Sequence, residues 1–380
     1  RGKNIDVDET IRLAEKQVGL IKSVKAIRAE ANHVASSIPK ATDAERDRLI
    51  KEGKSLKEQV KAMDEELSSV TRQLEELLRS YPNLLMDDVP DGGEENNEVE
   101  RVVGEPTTFD FEVKDHMQLG EALGIIDSER AAKVSGSRFT YLRGDGALLQ
   151  FAILQYTMNH LVSEGFEPVI PPNIVSYDAM SAMGYLERGG EEEIYHLKND
   201  DQVLIGTSEQ ALGPMYMNEI IDESQLPIRM AGYSPCYRRE AGSYGKDVQG
   251  ILRLHQFDKI EMFSFTEPGE SEKEHALILS IQEKLMQGLG LPYRVMKLAA
   301  GDTGSPSSRT WDIETWMPSQ NIYRETHSTS NTTDFQTRRL NTRIKRDGKN
   351  ELAHALNGTA FAIGRIIIAI LENNQQADGS

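Results

Sequence analysis

The stretch Tyr237–Glu261 reads YRREAGSYGKDVQGILRLHQFDKIE and decides how this sequence is interpreted. Both ends alternate like strands, and the middle, Gly242–Gly250, is punctuated by glycine, so the pattern predicts a β-hairpin with a long tip. Side chains two residues apart share a face of a strand. The predicted face carries Arg238, Glu240, Arg253, His255, Phe257, Lys259 and Glu261. Arginine forks bind phosphate or carboxylate oxygens, and carboxylates accept from amines and hydroxyls, so this face suits a nucleotide beside an amino acid.

In an arbitrary protein, a solvated hairpin with surface ion pairs is the alternative for this stretch. The unbroken run from Glu240 to Glu261, however, resembles motif 2 of the class II aminoacyl-tRNA synthetases, in the form carried by seryl-tRNA synthetases. The resemblance implies ATP and Mg²⁺ as cofactors, L-serine and tRNA(Ser) as substrates, and a cytoplasmic homodimer with no membrane or DNA partner. It leaves tRNA(Sec) open as a second acceptor of serine.

The length and charge of the chain limit the classes of function. Its 380 residues can form a large catalytic domain plus a smaller module. The net charge of −18 argues against a general nucleic-acid binder. Residues 1–82 hold 16 Lys and Arg against 15 Asp and Glu, so an RNA-facing surface is expected in this part. Cys236 is the only cysteine, which excludes disulfides and thiolate metal clusters within the chain.

Two apolar ladders with alternating steps of three and four residues run through the first 82 residues. Their members are Leu20, Val24, Ile27, Ala31, Val34 and Ile38, then Leu49, Gly53, Leu56, Val60, Met63, Leu67, Val70, Leu74, Leu77 and Tyr81. This spacing is typical of coiled-coil helices, and the short break at Pro39–Asp43 favours an antiparallel helical hairpin. Thr42 or Asp43 is expected to cap the second helix, with Glu45 at capping-box spacing from Thr42.

Periodicity alone favours a dimerisation or spacer arm as the role of this hairpin. The resemblance implies a tRNA-binding arm instead, because seryl-tRNA synthetases carry an N-terminal helical hairpin that grips the long variable arm of their tRNA. The expected phosphate contacts are Lys22, Lys25, Arg28, Lys51 and Lys54, with Lys16, Lys57 and Lys61 as further candidates. The family arm begins earlier, and the chain as given is expected to be short at both ends.

The sequence predicts three segments. Residues 1–85 form the arm, residues 86–105 form an acidic linker without an apolar period, and residues 106–380 form an α+β catalytic domain. The resemblance implies a mixed, mainly antiparallel sheet flanked by helices in this domain. Helical spacing over Leu148–Val162, followed by the strand-like Phe166–Pro172, resembles motif 1, which builds the dimer interface of class II enzymes.

A polar triplet follows the strand-like Val203–Gly206, where a helix cap is the alternative role. The resemblance implies that this Thr-x-Glu triplet binds the amino group of serine, and its spacing of 31 residues from Arg238 matches the family. The serine-binding residues that the resemblance implies are Thr207, Ser208, Glu209, Glu261 and Thr359. Of these, Glu261 and Thr359 are expected to select the hydroxyl of serine.

Further clusters follow at Trp311–Arg339 and Asn357–Asn373, and the second resembles motif 3. The ATP-binding residues that the resemblance implies are Arg238, Arg239, Glu240, Arg253, Phe257, Glu325, Thr326, His327, Ser328 and Arg365, with Arg238 and Arg365 as the catalytic pair. Phe257 is expected to stack on adenine. Glu325 and Ser328 match the Mg²⁺ positions, and one carboxylate with one hydroxyl suits an ion that keeps water and phosphate ligands.

Arg365 lies in an apolar helical segment and needs an anion, which is either the γ-phosphate of ATP or a structural carboxylate. Two positions depart from the family pattern. His327 stands where family members commonly carry serine, and Ala360 follows Thr359 where a glycine is common. Because imidazole suits zinc better than magnesium, a direct role of His327 is disfavoured.

Rival nucleotide and metal motifs are absent from the sequence, which contains no phosphate loop of the type G-x-x-x-x-G-K-[ST] and no H-E-x-x-H. Two alternative hypotheses remain. One is a paralogue that charges a carrier protein or small molecule, which the predicted arm disfavours. The other is a non-catalytic descendant, which the presence of Arg238, Glu240, Glu261 and Arg365 disfavours.

Overall fold

A computed structural model describes residues 5–186, 190–241 and 250–380. The chain divides into two compact units, Lys3–Tyr81 and Pro82–Ser380. Most of the predicted hairpin tip, residues 242–249, lies outside the described residues. Among the helices of the described ranges, none is long and apolar enough to cross a membrane.

The first unit is the predicted helical hairpin. Helix α1 (Val7–Ser37) is joined to α2 (Asp43–Arg79) by a 3₁₀ turn at Ile38–Lys40. Cross-helix hydrogen bonds from Gln17 to Thr71 and from Arg28 to Asp64 show that the helices run antiparallel. The buried seam consists of Leu13, Val24, Val34, Leu56, Val70 and Leu74. The prediction of a coiled-coil hairpin is confirmed, and its seam begins one heptad earlier than the predicted ladder.

The start of α2 is closed by the predicted capping box. Thr42 is the N-cap, and the Glu45 carboxylate accepts from the Thr42 backbone N–H at 3.4 Å and from its hydroxyl at 2.9 Å. These bonds satisfy donors that the first helical turn leaves without partners. The sequence therefore predicted this helix boundary correctly.

The second unit alternates short helices with strands. Its helices are α3 (His116–Ala122), α4 (Ser128–Ser135), α5 (Asp145–Ser163), α6 (Tyr177–Ala182), α7 (Glu209–Leu212), α8 (Ser271–Gly288), α9 (Phe335–Leu340) and α10 (Ile363–Asn374). Its strands are β1 (Glu98–Val103), β2 (Ile126–Asp127), β3 (Tyr141–Leu142), β4 (Glu167–Val169), β5 (Ile174–Ser176), β6 (Gln202–Leu204), β7 (Ile220–Asp222), β8 (Ile228–Tyr237), β9 (Gln256–Thr266), β10 (Tyr293–Lys297), β11 (Arg309–Met317), β12 (Ile322–Thr333), β13 (Arg343–Arg346), β14 (Lys349–Leu352) and β15 (His354–Ala362).

An eight-stranded sheet organises the second unit, in the order β1-β10-β11-β12-β15-β9-β8-β4. Its neighbouring strands pair antiparallel except β4 with β8. Helices α8 and α10 pack against it, and the core between these elements buries side chains such as Ile260, Ile278, Phe361 and Ile367 completely. The prediction of a mixed, mainly antiparallel sheet flanked by helices is confirmed.

Strand β1 corrects the prediction of a linker over residues 86–105. It pairs antiparallel with β10 at the edge of the large sheet, with a bulge between Val99 and Arg101. The side chains of Val99 and Val102 are both about half exposed, so the strand has no buried face. A strand whose side chains are mostly exposed leaves no apolar period in the sequence, which is why this strand was missed.

The hairpin that was predicted for Tyr237–Glu261 is formed by β8 and β9, which pair antiparallel along nearly their whole length. Its strands are shorter than the alternation predicts, because β8 ends at Tyr237 and β9 begins at Gln256. Four of the seven residues of the predicted face, Arg238, Glu240, Arg253 and His255, therefore lie beyond the strands. Their positions are set by loop contacts and not by the pleat.

Candidate functional site

A cavity of about 220 Å³ opens where β9, β12, β15 and the first turn of α10 meet. Eight of the predicted site residues line it: Arg238, Glu240, Arg253, Phe257, Glu325, Thr326, Thr359 and Arg365. Tertiary folding thus brings together residues that lie up to 127 positions apart in the sequence. The cavity combines three arginines with two carboxylates and one phenyl ring.

Arg238 is held at the end of β8 by contacts to the strand-like segment that precedes α7. Its Nε donates to the Gly206 carbonyl at 3.2 Å, and the adjacent Tyr237 N–H donates to the Ile205 carbonyl at 2.8 Å. The guanidinium carbon lies 5.3 Å from the centre of the Phe257 ring, a cation–π distance. One nitrogen is thus used for positioning, and the terminal nitrogens remain for an anion in the cavity.

Glu240 positions Arg253 across the base of the hairpin loop. Its backbone has φ = +52°, which is unusual for a residue with a side chain, and its nearly buried carboxylate accepts from Arg253 Nε. Such a conformation costs about 1–3 kcal/mol and is found preferentially at functional sites. Arg239 differs from these residues, because its side chain is exposed and outside the cavity lining.

A β-bulge in β12 sets the geometry of the predicted Mg²⁺ ligands. Ser328 pairs with Asp312 of β11, and Glu325 pairs with Glu314, with Thr326 as the extra residue. Because Asp312 and Glu314 share a face of β11, the bulge puts Ser328 and Glu325 on that same face. In a regular strand, three residues of separation would place them on opposite faces.

Asp312 is a neighbour of these ligands that the sequence interpretation missed. The Ser328 hydroxyl donates to it, and burial, followed by the charge of Glu325, raises the pKa of Asp312 well above its usual value. Its Oδ1 is buried without a hydrogen-bond donor among the described residues. The start of the cluster Trp311–Arg339 contained the signal, since Asp312 and Glu314 alternate on a strand that ends in apolar Met317.

The donor set here fits magnesium better than a metal held by protein ligands alone. In the described part of the chain, no group of three or more His, Cys, Asp or Glu side chains is arranged to hold a metal ion. Mg²⁺ binds through one or two carboxylates and takes its other ligands from phosphate and water. Glu325, Ser328 and the orphaned oxygen of Asp312 meet that requirement.

Arg365 is less buried than its apolar helix suggests. It lies in the first turn of α10, and 28% of its side chain is exposed. Its Nη1 donates to the Glu325 carbonyl at 2.7 Å and lies 3.3 Å from Glu325 Oε1. Glu325 is thus the structural carboxylate of the alternative hypothesis, and it also directs Arg365 toward the cavity.

His327 is not brought to the cavity by its side chain. It pairs with Ile313, on the face of β12 opposite to Glu325 and Ser328, and its ring meets the Phe361 ring edge-on at 5.3 Å. Burial lowers the pKa of His327 to about 3, so the ring is neutral near pH 7. His327 is therefore a core residue. Unlike the other ATP-binding residues predicted at 325–328, it can contact a ligand only through its backbone.

Ala360 is the extra residue of a second bulge, in β15. Thr359 pairs with Glu261 and Phe361 pairs with Ile260, so Ala360 has no partner on β9. This bulge turns Thr359 toward Glu261 while Phe361 enters the core. Ala360 is absent from the residues with positive φ, so an alanine side chain fits here without backbone strain.

The predicted serine-binding residues meet behind the cavity. Glu261 is almost completely buried, and its Oε2 accepts from Thr359 Oγ1 at 3.1 Å and lies 2.6 Å from Lys259 Nζ. Thr207 Oγ1 is buried and has no hydrogen-bond partner within the described ranges of the chain. An orphaned hydroxyl is costly unless a ligand completes its bonding, which favours a polar ligand at this position.

Glu209 is the second buried carboxylate of this region. It accepts from the Tyr185 hydroxyl at 2.7 Å, from Gln336 Nε2 at 2.7 Å and from Asn357 Nδ2 at 3.0 Å. Burial, followed by the charge of Glu261, raises the pKa of Glu209. The sequence interpretation missed Tyr185, Gln336 and Asn357, which lie in separate elements without a shared motif.

Ser208 is oriented away from a ligand. Its hydroxyl donates to the Gly232 carbonyl at 3.0 Å, and a Cβ at Gly232 would lie 2.8 Å from that hydroxyl oxygen. The side chain therefore anchors the start of α7 to β8. The structure does not bring this predicted serine-binding group into the cavity.

The cations predicted to contact tRNA are exposed on the helical hairpin. These are Lys22, Lys25, Arg28, Lys51 and Lys54. Arg28 is also bound to Asp64 of the facing helix at 2.6 Å. Their exposure is required for a phosphate contact, and their role stays a prediction.

Comparisons with known proteins match both units. Residues 194–374 match the family model "tRNA synthetase class II core domain (G, H, P, S and T)", and residues 1–85 match "Seryl-tRNA synthetase N-terminal domain". A serine–tRNA ligase of Clavibacter michiganensis subsp. michiganensis is 45% identical over 382 residues, covering 100% of this chain and 89% of that protein.

Two solved structures are similar along nearly the whole chain. Seryl-tRNA synthetase from Pyrococcus horikoshii, complexed with ATP, is 36% identical with a TM-score of 0.92, covering 98% of this chain and 89% of that one. Cytoplasmic serine–tRNA ligase from Naegleria fowleri, in complex with AMP, is 31% identical with a TM-score of 0.81, covering 96% and 87%.

Proposed function

The chain belongs to the class II seryl-tRNA synthetases, enzymes that ligate serine to tRNA at the expense of ATP, and we propose that the described cavity is where it activates L-serine. Serine's carboxylate attacks the α-phosphorus of ATP, and pyrophosphate leaves. A ribose hydroxyl of the terminal adenosine of tRNA(Ser) then attacks the carbonyl carbon of the seryl-adenylate, takes the seryl group and releases AMP. A carboxylate is already ionised at pH 7, so the first step needs no general base. Positioning and charge neutralisation supply the acceleration.

The observation that carries the proposal is the adjacency of a cationic cavity and a buried acceptor. Arg238 and Arg365 line the same cavity, and next to it Glu261 accepts a hydrogen bond from Thr359. In this proposal Arg238 holds the α-phosphate and the carboxylate of serine, and Arg365 holds the γ-phosphate. Phe257 stacks on adenine, and Arg253 is a second phosphate contact.

Mg²⁺ would be held by Glu325 and Ser328, with the adjacent Asp312 carboxyl as a neighbour of the ion. When bound, this ion neutralises charge on the phosphates of ATP. Glu325 holds Arg365 at 3.3 Å, so the same carboxylate orients the cation that meets the γ-phosphate. Arg365 and the Mg²⁺ ligands are thereby kept in one fixed arrangement.

Serine recognition rests on the buried polar groups behind the cavity. Thr207 and Glu209 bind the amino group, and Glu261 with Thr359 binds the hydroxyl. With alanine bound, the buried Glu261 carboxylate would lack the donor that the serine hydroxyl provides. A site built for a hydroxyl therefore rejects alanine strongly. Selection thus needs no difference in substrate size.

Binding of tRNA and assembly of a homodimer complete the proposal. The exposed cations of the helical hairpin contact phosphates of the long variable arm, and tRNA(Sec) is a second predicted acceptor. Helix α5 and the segment after it expose Leu148, Phe151, Val162 and Ile170, which supports a subunit interface on this surface. The single cysteine is consistent with a cytoplasmic location.

One two-part assay tests the function. ATP–pyrophosphate exchange is measured with a panel of amino acids, followed by charging of total tRNA and of tRNA(Ser) and tRNA(Sec) transcripts. We expect exchange with serine and charging of tRNA(Ser). Exchange without tRNA charging would indicate the paralogue that loads another carrier, and no exchange with any amino acid would indicate the non-catalytic descendant.

A further inference from the structure

Lys259 occupies the boundary between the two halves of the site. It lies on β9, two residues before Glu261, and its ammonium nitrogen is 2.6 Å from Glu261 Oε2. Only 8% of its side chain is exposed, and that part lines the cavity beside Arg238. A lysine so deeply buried needs a charge partner, and Glu261 supplies it.

The charges around Lys259 come from several packed elements. Glu261 shares its strand, Arg238 follows β8, and Glu209 begins α7, with the thiol of Cys236 on β8 as a further titratable group. Thr359 on β15 contributes a neutral hydroxyl. The charge of Glu261 contributes to the raised pKa of Glu209, so the two buried carboxylates lie close to each other.

We propose that Lys259 is a positioning residue that holds the Glu261 carboxylate aimed at the hydroxyl of serine. This inference rests on the proposed function and deepens it. Lys259 Nζ and Thr359 Oγ1 both contact Oε2 of Glu261, which fixes the plane of the carboxylate and leaves Oε1 as the acceptor for a ligand. The phosphates of ATP are left to Arg238 and Arg365.

The consequence is a specific split in kinetic constants. An ionised carboxylate makes a stronger hydrogen bond with a hydroxyl than a protonated carboxyl does. Without Lys259, the Glu261 carboxylate would lose one of the two contacts that fix its plane. Serine binding would then weaken, while ATP binding would change little.

The test measures serine-dependent ATP–pyrophosphate exchange of Lys259→Met and of the parent chain at about pH 7. We expect the KM for serine to rise by about tenfold or more, since a charge-assisted hydrogen bond contributes more than about 1.4 kcal/mol. A KM for ATP within about threefold of the parent completes the expected result.

Lys297→Met is the matched control. Lys297 lies on β10 of the same sheet, has a side chain that is 16% exposed, and contacts Asp88 and Glu100 away from the cavity. Loss of this lysine should leave the KM for serine unchanged. An equal change in both variants would mean that loss of any buried lysine disturbs the sheet, and the proposal would be wrong.

A double-mutant cycle separates positioning from a direct contact with ATP. In a Glu261→Gln background, Lys259→Met should cost little further serine affinity, because its target is already neutral. Multiplicative losses, or a rise in the KM for ATP without a rise in the KM for serine, would overturn the proposal. Lys259→Arg retains the charge and should keep the KM for serine closer to the parent value than Lys259→Met does, which preserves the test if Lys259→Met does not fold. If the parent chain lacks exchange with serine, the proposed function fails, and the ion pair of Lys259 stands as a structural contact alone.

Discussion

Ser328 and Glu325 lie on the same face of β12 although three residues separate them, because Thr326 forms a bulge between them. Buried Thr326 donates to the Ile313 carbonyl and contacts the Thr315 hydroxyl at 2.7 Å, which anchors the bulge. One inserted residue thereby brings a hydroxyl and two carboxylates, Glu325 and Asp312, to a single patch. The proposed Mg²⁺ site depends on this irregularity, because a regular strand would place Glu325 and Ser328 on opposite faces.

Glu325→Gln should lower kcat/KM for serine-dependent exchange by about 100-fold or more, since it removes charge from the metal patch and loosens Arg365. The Mg²⁺ concentration for half-maximal exchange should also increase. Titration of Mg²⁺ in the exchange assay measures both effects. Glu314→Gln is the control on the same face, where Arg294 binds the carboxylate, and an equal shift in Mg²⁺ requirement there would contradict a specific role of Glu325.

Thr359→Val should lower kcat/KM for serine by about 10- to 100-fold, because Glu261 loses a donor and the site loses a polar contact. The preference for serine over alanine should fall, while the KM for ATP stays near its parent value. Thr310→Val is the control, since it removes a buried hydroxyl that contacts Ser330 elsewhere in the sheet. A loss of ATP affinity equal to that of serine would argue against the assignment.

Gly358→Ala should destabilise the second unit, because a Cβ would lie 2.4 Å from Ile278 Cγ2 on α8 and 3.0 Å from Thr329 Oγ1. Forcing such an overlap typically costs about 1–3 kcal/mol. Urea unfolding measures the free energy, and serine kinetics report any displacement of neighbouring Thr359. Gly269→Ala, where nothing lies within 4 Å, should leave stability nearly unchanged; equal losses in both variants would rule out packing as the cause.

His275 should make stability fall as pH is lowered from neutrality. Burial lowers its pKa to about 3, whereas an unfolded histidine titrates near 6.5, so only the unfolded state gains a proton between these values. The contribution is fully present above about pH 6.5 and should decrease by about 2 kcal/mol between pH 7 and 5. His275→Phe should reduce that loss in urea unfolding at the two pH values.

The control for His275 is His33→Ala, which removes an exposed histidine of α1 and should leave the pH dependence as in the parent chain. If His275→Phe loses as much stability between pH 7 and 5 as the parent, the buried neutral ring is not the source. His327, whose pKa is also lowered to about 3 by burial, would then be the next variant.

Lys51→Ala/Lys54→Ala should weaken binding of tRNA(Ser) and reduce the slope of log K against log salt by about 0.7–0.9 for each lost phosphate contact. Filter binding between about 50 and 200 mM salt measures the slope. Exchange of serine should be unchanged, because the cavity lies in the other unit. Lys51→Arg/Lys54→Arg keeps both charges and should keep the slope; a slope that is unchanged in the alanine variant would exclude these residues as contacts.

The helical hairpin and the β8–β9 pairing were predictable because their signals are local. A heptad ladder or an alternating run indicates which face of a helix or strand is buried, regardless of where the neighbouring elements lie. The motif residues Arg238, Glu261 and Arg365 were likewise predicted from the family resemblance, and the structure brings them around one cavity and the carboxylate behind it. Their individual roles stay predictions until the variants are measured.

Other features depended on contacts between distant segments. Strand β1 has no apolar period, so only its pairing with β10 defines it, and Ser208 is turned away by the Gly232 carbonyl. His327 is directed into the core by the register between β11 and β12. Asp312 acquires its raised pKa from burial and from Glu325, thirteen residues away in the sequence.

The sequence by itself therefore determined the family, the coiled-coil arm and the set of charged residues that meet at the cavity. The tertiary structure alone decided which of those side chains face it, because the bulges at Thr326 and Ala360 shift the pairing by one residue. A shift of one residue exchanges the two faces of a strand. Such a shift is specified by the partner strand, which a local pattern does not contain.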